Sequence, residues 1–472
     1  MDEVIIRNKN DIIRYIDANP RTTKRIGILF AIAMTSVFAD AYDFSSISIG
    51  LSSMTAELQL TPTQVGFATS AMAVGALLSS LLGGVIADRT GRYRLFVICG
   101  VLLVIAPLGI AFAQNFAVLL AFRFILGVAV GLDFPVAFSF MAELLSSETK
   151  AKWINLWQPV SSLATITGVA IALPFALQHL TEHLWRFTVG FGAVAALVAL
   201  VLRLFYSEES PMWAARHQRL DKAVAVLEKA YDVKVRIEPD DAPEEPVVTT
   251  DAPGVKTLFA RRFRPRTWLV SITAFTQSLQ YYAVGFYIPL IAGYVFGADL
   301  VSTIVATVCA QLCALAAGMI QSALTTRLGI IRLGKIGYGI VLVALVLLGI
   351  FGVHNDKSIS LLPIVLVAIM MFGHHFGPGP LSKTLAPISY PTEIRGIGSG
   401  WAETLVRVGS ICGLMAFPIA LATFGVSTTM FLVAVFPAIA LVALFVIKWD
   451  PQRDAVDLPD DAVADQAPAP AV

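Results

Sequence analysis

Charged residues are scarce in this sequence. Asp, Glu, Lys and Arg make up 14% of its 472 residues, whereas about 25% is usual in soluble domains. The formal net charge of +1 gives no electrostatic support for binding nucleic acid. Hydrophobic residues reach 57%, and the mean hydropathy is +0.75. The composition excludes an ordinary soluble globular protein and indicates a polytopic membrane protein.

Cysteine and histidine are also rare, with four and six residues. The spacing of Cys309 and Cys313 differs from a CxxC motif, and no His/Asp/Glu grouping or nucleophile motif indicates a metal site or a catalytic centre. We therefore expect no cofactor, no metal and no enzymatic activity. We also expect every cysteine to be a small buried apolar residue. The four are Cys99, Cys309, Cys313 and Cys412.

Apolar windows of about 20 residues, the length that crosses a bilayer, recur along the chain. They fall into two sets of six separated by a polar interval. We predict an all-α membrane protein with twelve transmembrane helices in two six-helix bundles, residues 26–206 and 267–447. The windows are 26–52, 62–86, 95–113, 117–143, 153–177, 185–206, 267–296, 300–326, 334–352, 361–387, 399–423 and 427–447.

Lys and Arg are distributed unevenly between the connections of these spans. The connections after spans two, four, eight and ten carry basic residues, including Arg89, Lys150, Arg327 and Arg395, whereas the opposite connections carry only Lys357. Because basic loops stay on the cytosolic side, both termini are predicted to be cytosolic. The expected location is the plasma membrane, the inner membrane if the source is bacterial.

Three polar segments lie outside the bundles. Residues 1–25 lack the apolar core and cleavage site of a signal peptide and are expected to be a cytosolic leader. Residues 207–266 form a cytosolic middle loop in which apolar residues at helical spacing predict one or two interfacial helices. Residues 238–254, rich in acidic residues and Pro, and the tail 448–472 are expected to be flexible or disordered.

An internal repeat is visible in the connections. Residues 83–94 read GGVIADRTGRYR after span two, and residues 325–332 read TTRLGIIR as a degraded copy after span eight. The first copy resembles the loop motif of the major facilitator superfamily. Three further stretches carry the same resemblance: 123–131, which leads to Glu143, then 209–213 (ESPMW) and 391–396 (PTEIRG). The chain resembles the sugar porter and metabolite:proton symporter branch of that family.

This resemblance implies a secondary active transporter that works by alternating access, uses protons and a small-molecule substrate as partners in the lipid bilayer, and functions as a monomer. Residues that match the loop motif are expected to take part in the conformational change. They are Gly84, Asp88, Arg89, Gly91 and Arg92.

The chain also departs from the sugar porter pattern. Met212 stands where an Arg is usual, and Ile388 stands where the family has a Glu. Residues 40–43, 131–135 and 376–378 instead look like aromatic-acid and phosphate:proton symporters. These matches favour an organic acid over a hexose as the substrate.

Two carboxylates stand in the first span. Asp40 and Asp43 are three residues apart and lie on one helical face, and an ionised Asp inside a bilayer must face protein or water. Asp43 is about 14 Å and Arg123 about 9 Å from the outer ends of their spans, so the two residues can lie at similar depth. The resemblance implies that Asp43 and Arg123 form the proton-coupling site. A static buried ion pair is the alternative, and Asp40 is a second candidate for proton transfer.

Further charges occur in spans four and eleven. Asp133 either takes part in proton coupling or is a helix-packing carboxylate next to Pro135. Glu403 and Arg407 are four residues apart, in the order that favours an in-helix ion pair. Because a guanidinium suits a carboxylate, both are candidate substrate-binding residues. A self-neutralising pair is the alternative for them.

Neutral polar and aromatic residues complete the predicted site. The resemblance implies that Gln158 and Gln277 match sugar-contacting glutamines, although a single Gln or Tyr in a span is commonly an interhelical hydrogen bond. His374 and His375 precede a Gly-Pro break in span ten and either titrate or pack beside the kink. The neutral candidates for substrate binding are Gln158, Gln277, Tyr281, Tyr282 and Trp401.

Four carboxylates and two guanidiniums among these candidates give a charge of −2 if all are ionised. An anion would therefore need at least one carboxylate to be protonated before it binds. The sequence predicts proton-coupled import of a small organic solute, most simply an organic acid. The alternatives are a sugar or polyol:proton symporter, an organic cation transporter and a non-transporting substrate sensor.

Overall fold

The computed structural model describes residues 3–19, 23–90, 92–145, 153, 156–206, 209–217, 220–238, 255–296, 299–351 and 361–451. Helices account for nearly all of the regular structure in these ranges, and β1 (Glu3–Ile6) with β2 (Lys234–Ile237) forms one small parallel sheet. The predicted flexible stretch 238–254 and the tail 448–472 lie outside the described residues, apart from residue 238 and residues 448–451.

The first half of the chain begins with a short helix, α1 (Lys9–Ala18), and continues with long apolar helices. Side-chain caps fix two of the helix starts: Thr23 accepts from the amide of Ile26, and Asn115 accepts from the amide of Val118. The helices are α2 (Lys24–Glu57), α3 (Pro62–Thr90), α4 (Arg92–Ala111), α5 (Phe116–Leu144), α6 (Trp157–Ala170), α7 (Leu173–Leu177) and α8 (Leu184–Tyr206).

Two short helices, α9 (Pro211–His217) and α10 (Leu220–Tyr231), occupy the middle interval, where the sequence predicts one or two helices. The second half begins with α11 (Arg264–Gln280), a π-helical turn at Tyr281–Gly285 and α12 (Ile288–Phe296). The remaining helices are α13 (Leu300–Leu328), α14 (Ile330–Phe351), α15 (Leu362–Phe376), α16 (Pro378–Ser389) and α17 (Thr392–Val446).

Several spans are not single straight helices. Nine helices in the described ranges are long and apolar enough to cross a membrane. One of them, α17, has 55 residues and a kink at Gly425, where φ is 73°, so it supplies two spans. Two further spans are α3 and the broken pair α11–α12. With these, the helices account for the twelve predicted spans.

The chain divides into two compact units. The first contains Met1–Val247 and Phe286–Gln311, and the second contains Val248–Gly285 and Leu312–Val472. The change from one unit to the other within the seventh span occurs directly after the π-helical turn. The sequence-based boundaries of the two six-helix bundles, 26–206 and 267–447, remain a prediction.

Residues of the expected N-terminal leader are folded against the middle loop. β1 pairs with β2 over Glu3–Ile6 and Lys234–Ile237, and Asn8 and Asp11 form a reciprocal capping box at the start of α1. Ile6, Ile12 and Ile16 are buried in one core with apolar residues of α9, α10, α2 and α5. We call β1, α1, α9, α10 and β2 the terminal module.

One expectation about cysteine is wrong. Cys99 is buried and Cys313 and Cys412 are partly buried, but Cys309 is exposed. It lies on an exposed apolar face of α13 with Val305 and Leu312, which are 53% and 49% exposed. Because a thiol is only weakly polar, it is tolerated on an exposed apolar face of a spanning helix and does not need burial in protein.

Candidate functional site

Asp43 and Arg123 lie together inside the first unit. Their exposed fractions are 4% and 1%, and they interact electrostatically. Arg123 Nε donates to the carbonyl of Ala68 at 3.0 Å, and its Nη2 donates to that of Thr69 at 3.1 Å. These bonds hold the guanidinium on α3, while Asp43 is carried by α2. The proximity expected from their depths is therefore present, with Arg123 anchored by backbone carbonyls.

Glycines of α5 allow Arg123 to reach α3. A Cβ at Gly127 would lie 2.0 Å from the carbonyl oxygen of Met72, and one at Gly131 would lie 2.4 Å from that of Ala76. Both values are below any normal contact, so only glycine permits this helix spacing. Gly127 follows Arg123 by one turn, which explains why the arginine reaches carbonyls of the neighbouring helix.

Asp43 also lies against α8. A Cβ at Gly192 would be 3.0 Å from Asp43 Oδ1 and 3.1 Å from the ring of Tyr42. Tyr42 donates its hydroxyl to the carbonyl of Thr188 at 2.8 Å. Asp40, one turn earlier on α2, is partly buried. Its role in proton transfer remains a prediction.

A hydrogen-bond relay joins Arg123 to the seventh span. The carbonyl of Thr69 accepts from Arg123, and the hydroxyl of Thr69 lies 2.9 Å from that of Tyr287. Tyr287 is fully buried directly before α12. Ser48 of α2 donates to the carbonyl of Phe286, the residue before Tyr287. Sequence reasoning missed Thr69 and Tyr287, because single polar residues in apolar spans carry no distinctive pattern.

Asp133 is paired with Arg203, a residue that sequence reasoning did not select. Arg203 Nη1 and Nη2 donate to Asp133 Oδ1 and Oδ2 at 2.8 and 2.9 Å. Arg203 Nη2 also donates to Ser36 at 2.8 Å, and the side chains of the ion pair are 1% and 2% exposed. This geometry favours the packing alternative for Asp133. The sequence signal that could have identified Arg203 is its position as an arginine inside the apolar window 185–206.

The second unit contains a three-residue ionic cluster. Glu403 accepts from Lys383 Nζ at 2.5 Å through Oε2, and its Oε1 lies 3.6 Å from Arg407 Nε. The in-helix pair of Glu403 and Arg407 is present as predicted. Lys383, on α16, was missed, although it is a lysine inside the apolar window 361–387. We call Lys383, Glu403 and Arg407 the ionic cluster.

A polar and aromatic group surrounds the π-helical turn of the second unit. Gln280 Oε1 lies 3.0 Å from His374 Nδ1, and the rings of Tyr281 and His374 stack at 4.6 Å. Gln277, predicted to bind substrate, is buried, and its amide donates to the carbonyl of Ala274 within its own helix at 3.4 Å. The structure thus brings Tyr281, Gln280 and His374 together.

The other predicted contacts have separate surroundings. Tyr282 packs edge-on against Tyr281 at 5.3 Å. Trp401 donates to Ser271 Oγ at 2.8 Å and packs edge-on against Phe259 at 5.5 Å. These contacts are compatible with a structural role for Trp401.

Some predicted residues cannot be placed in the site. Gln158 lies in α6, but its side chain is outside the described part of the chain. The same holds for the side chains of Asp88, Arg89 and Arg92 and for the surroundings of Gly84, and Gly91 lies outside the described residues altogether. Among the residues that the structure describes, no group of three or more His, Cys, Asp or Glu could hold a metal ion.

These helices, with buried charges inside apolar spans, define a multi-pass membrane protein with the architecture of a solute transporter. The sequence profile of the Major Facilitator Superfamily matches residues 33–413, and the chain belongs to that family. It is a plasma-membrane protein, in agreement with a relative from Escherichia coli named as an inner membrane metabolite transport protein. That relative is 24% identical over 428 residues, which cover 91% of this chain and 92% of the relative.

Two relatives have named substrates. The D-xylose transporter of Levilactobacillus brevis is 26% identical over 399 residues, covering 81% of this chain and 84% of the relative. The major myo-inositol transporter IolT of Bacillus subtilis is 27% identical over 428 residues, covering 85% of this chain and 86% of the relative. A crystal structure of a D-xylose-proton symporter has the same fold, with a TM-score of 0.72 at 17% identity over 91% of this chain and 99% of that one.

Proposed function

We propose that this chain is a proton-coupled symporter that imports a sugar or polyol by alternating access. The named relatives transport D-xylose and myo-inositol, which favours the sugar or polyol alternative over the organic acid that the sequence analysis puts first. Proton coupling rests on one structural observation: a carboxylate, Asp43, buried in a spanning helix near the charge of Arg123.

The proton step follows from this geometry. The attraction of Arg123 stabilises the ionised form of Asp43, whereas burial stabilises the neutral acid. A small change in the distance between α2 and the anchored guanidinium therefore shifts the balance between the two forms. Binding and release of a proton at Asp43 would be linked in this way to movement of the helix that carries it.

Transport by purified protein in proteoliposomes tests the proposal. D-xylose and myo-inositol are offered under an imposed pH gradient, acidic outside, and in a separate exchange assay without a gradient. We expect gradient-driven accumulation of at least one of them by the unaltered chain. Asp43→Asn should abolish accumulation but retain exchange, because the neutral amide cannot release a proton.

Asp221→Asn provides the matched control, because it makes the same chemical change on the exposed surface of α10, outside the spans. It should accumulate solute normally. Undiminished accumulation by Asp43→Asn would refute the coupling role. Absence of gradient-driven uptake of every sugar and polyol tested would refute the proposed substrate class.

A second candidate function is symport of an organic acid. The observation that favours it is the ionic cluster, in which Lys383 and Arg407 share one carboxylate. Such a cluster suits an anionic group better than a hydroxyl group.

A further inference from the structure

The ionic cluster has an excess of positive charge. Lys383 and Arg407 both approach the single carboxylate of Glu403, through different oxygens, so the three residues together carry a charge of +1. In the first unit, by contrast, the carboxylates of Asp40, Asp43 and Asp133 outnumber the guanidiniums of Arg123 and Arg203 by one. The excess of positive charge among the candidate site residues therefore belongs to the second unit.

The cluster lies in the parts of spans ten and eleven that are nearer their predicted cytosolic ends. Glu403 is four residues and Arg407 eight residues into the apolar window 399–423, which corresponds to about 6 Å and about 12 Å along a helix. The side chains of Lys383 and Glu403 are nevertheless 35% and 36% exposed, and that of Arg407 is 9% exposed. Ionised groups at bilayer depth face protein or a water-filled cavity and not lipid. The exposed surface of the cluster is therefore suited to contact with a polar solute.

Neutral hydrogen-bonding groups lie beside the start of α16, the helix that carries Lys383. Gly379 precedes Lys383 by one turn of α16, and a Cβ at Gly379 would lie 3.4 Å from His374 Nε2. His374 in turn meets Gln280 at 3.0 Å and stacks on Tyr281. Gly379 and Lys383 are four residues apart on α16, about 6 Å along the helix axis, so the imidazole of His374 packs near the start of the helix that carries Lys383. Imidazole, amide and phenol groups suit hydroxyls, whereas a guanidinium fork and an ammonium suit a carboxylate.

We propose that the ionic cluster binds a carboxylate of the transported solute, so that the substrate is a polyhydroxylated acid, of the aldonate or uronate class. The inference rests on the proton-coupled import of the proposed function, and it changes the preferred substrate from a neutral sugar or polyol to a sugar acid. The carboxylate lies between Lys383 and Arg407, partly replacing Glu403 as their counter-ion, and the hydroxyl groups extend toward His374 and Gln280.

Matched pairs of solutes test this assignment. D-glucuronate and D-glucose are both pyranoses and differ in the oxidation of carbon 6, and D-gluconate provides a second, open-chain acid. Binding is measured by isothermal titration calorimetry on the purified full-length chain, and uptake is measured in proteoliposomes under a pH gradient. We expect an acid to bind and accumulate in preference to its neutral counterpart.

Two variants with opposite expected effects keep the test informative. Lys383→Met removes one charge and should weaken acid binding roughly ten- to a hundredfold, the range for a hydrogen bond to a charged group, without changing the affinity for a neutral sugar. Glu403→Gln removes the internal counter-ion and should strengthen acid binding and increase the thermal stabilisation that the acid provides. Lys335→Met is the matched control, because Lys335 packs over Phe445 at 4.5 Å in the same unit.

The outcomes separate the inference from the proposed function. Binding and accumulation of D-glucose or myo-inositol but of neither acid would overturn the inference and leave the proposed symport intact. Equal losses for acid and neutral solutes in Lys383→Met would show that the cluster is structural and would also overturn it. Gradient-independent uptake of every solute would refute proton coupling, while acid binding that depends on Lys383 would still support the cluster as the carboxylate site.

Discussion

Asp133 and Arg203 form a bidentate ion pair in the first unit, with distances of 2.8 and 2.9 Å between their facing atoms. Arg203 also donates to the carbonyl of Phe96 at 3.1 Å and to Ser36. Through these contacts one arginine of α8 joins α2, α4 and α5. The pair connects four helices, which is a structural reason for keeping two charges out of water.

Asp133→Asn tests whether this pair is structural. Removing one partner leaves the other charge buried and uncompensated, at a cost of about 3–5 kcal/mol. We expect a lower thermal unfolding temperature in detergent, measured by tryptophan fluorescence. The double variant Asp133→Leu with Arg203→Met should recover much of the loss, because it removes both charges.

Transport assays distinguish the structural role of Asp133 from a role in proton coupling. A proton-coupling carboxylate would give Asp133→Asn a normal unfolding temperature, retained exchange and no accumulation. That combination would contradict the structural interpretation.

Gly127→Ala should disrupt the coupling site without altering any charge. The new Cβ would lie 2.0 Å from the carbonyl of Met72, so α3 and α5 must separate, and the bonds from Arg123 to Ala68 and Thr69 would lengthen. We expect loss of stability and loss of gradient-driven uptake. Gly339→Ala in α14 is the control: nothing lies within 4 Å of its Cβ, and Ala favours a helix by about 0.5–1 kcal/mol. Normal uptake by Gly127→Ala would show that the close helix spacing is unnecessary.

Tyr287→Phe removes one hydrogen bond from the relay that leads to Arg123. The hydroxyl of Tyr287 lies 2.9 Å from that of Thr69, and losing a buried partner costs about 1–3 kcal/mol. We expect faster amide hydrogen exchange in residues 286–296 and an altered KM. Tyr338→Phe removes a comparable bond, to the carbonyl of Thr273 at 3.0 Å, and should leave exchange in 286–296 unchanged. Unchanged exchange in both variants would mean that the relay does not hold this segment.

The terminal module should contribute to the stability of the first unit. Asn8→Ala removes a side-chain cap that serves two amides of α1, at a cost of about 1 kcal/mol. Deleting residues 1–18 also exposes the apolar surface that Ile6, Ile12 and Ile16 cover. We expect a small decrease in unfolding temperature for the substitution and a larger one for the deletion, together with faster proteolysis in residues 209–238. Equal stability of the deletion and the full chain would contradict this role.

The charge balance of the site shows the limit of sequence reasoning. The candidates chosen from the sequence carry an excess of two negative charges, which predicts that protonation precedes anion binding. Arg203 and Lys383 bring the balance to zero, because they pair with Asp133 and Glu403. Which charges pair across helices depends on the rotation of each helix about its axis and on the depth of each residue along it. A small error in either quantity assigns a charged residue to the wrong partner.

The sequence alone determined the membrane class, the twelve spans and the family, because hydropathy, basic loops and short motifs are local properties of the chain. It also placed Asp43 and Arg123 at a common depth, since depth follows from counting residues. Only the tertiary structure decided the contacts between helices: the Asp133–Arg203 pair, the addition of Lys383 to the ionic cluster, and the packing of the leader into the terminal module. These contacts depend on which faces of helices distant in sequence meet. The packing of the whole chain determines which faces those are.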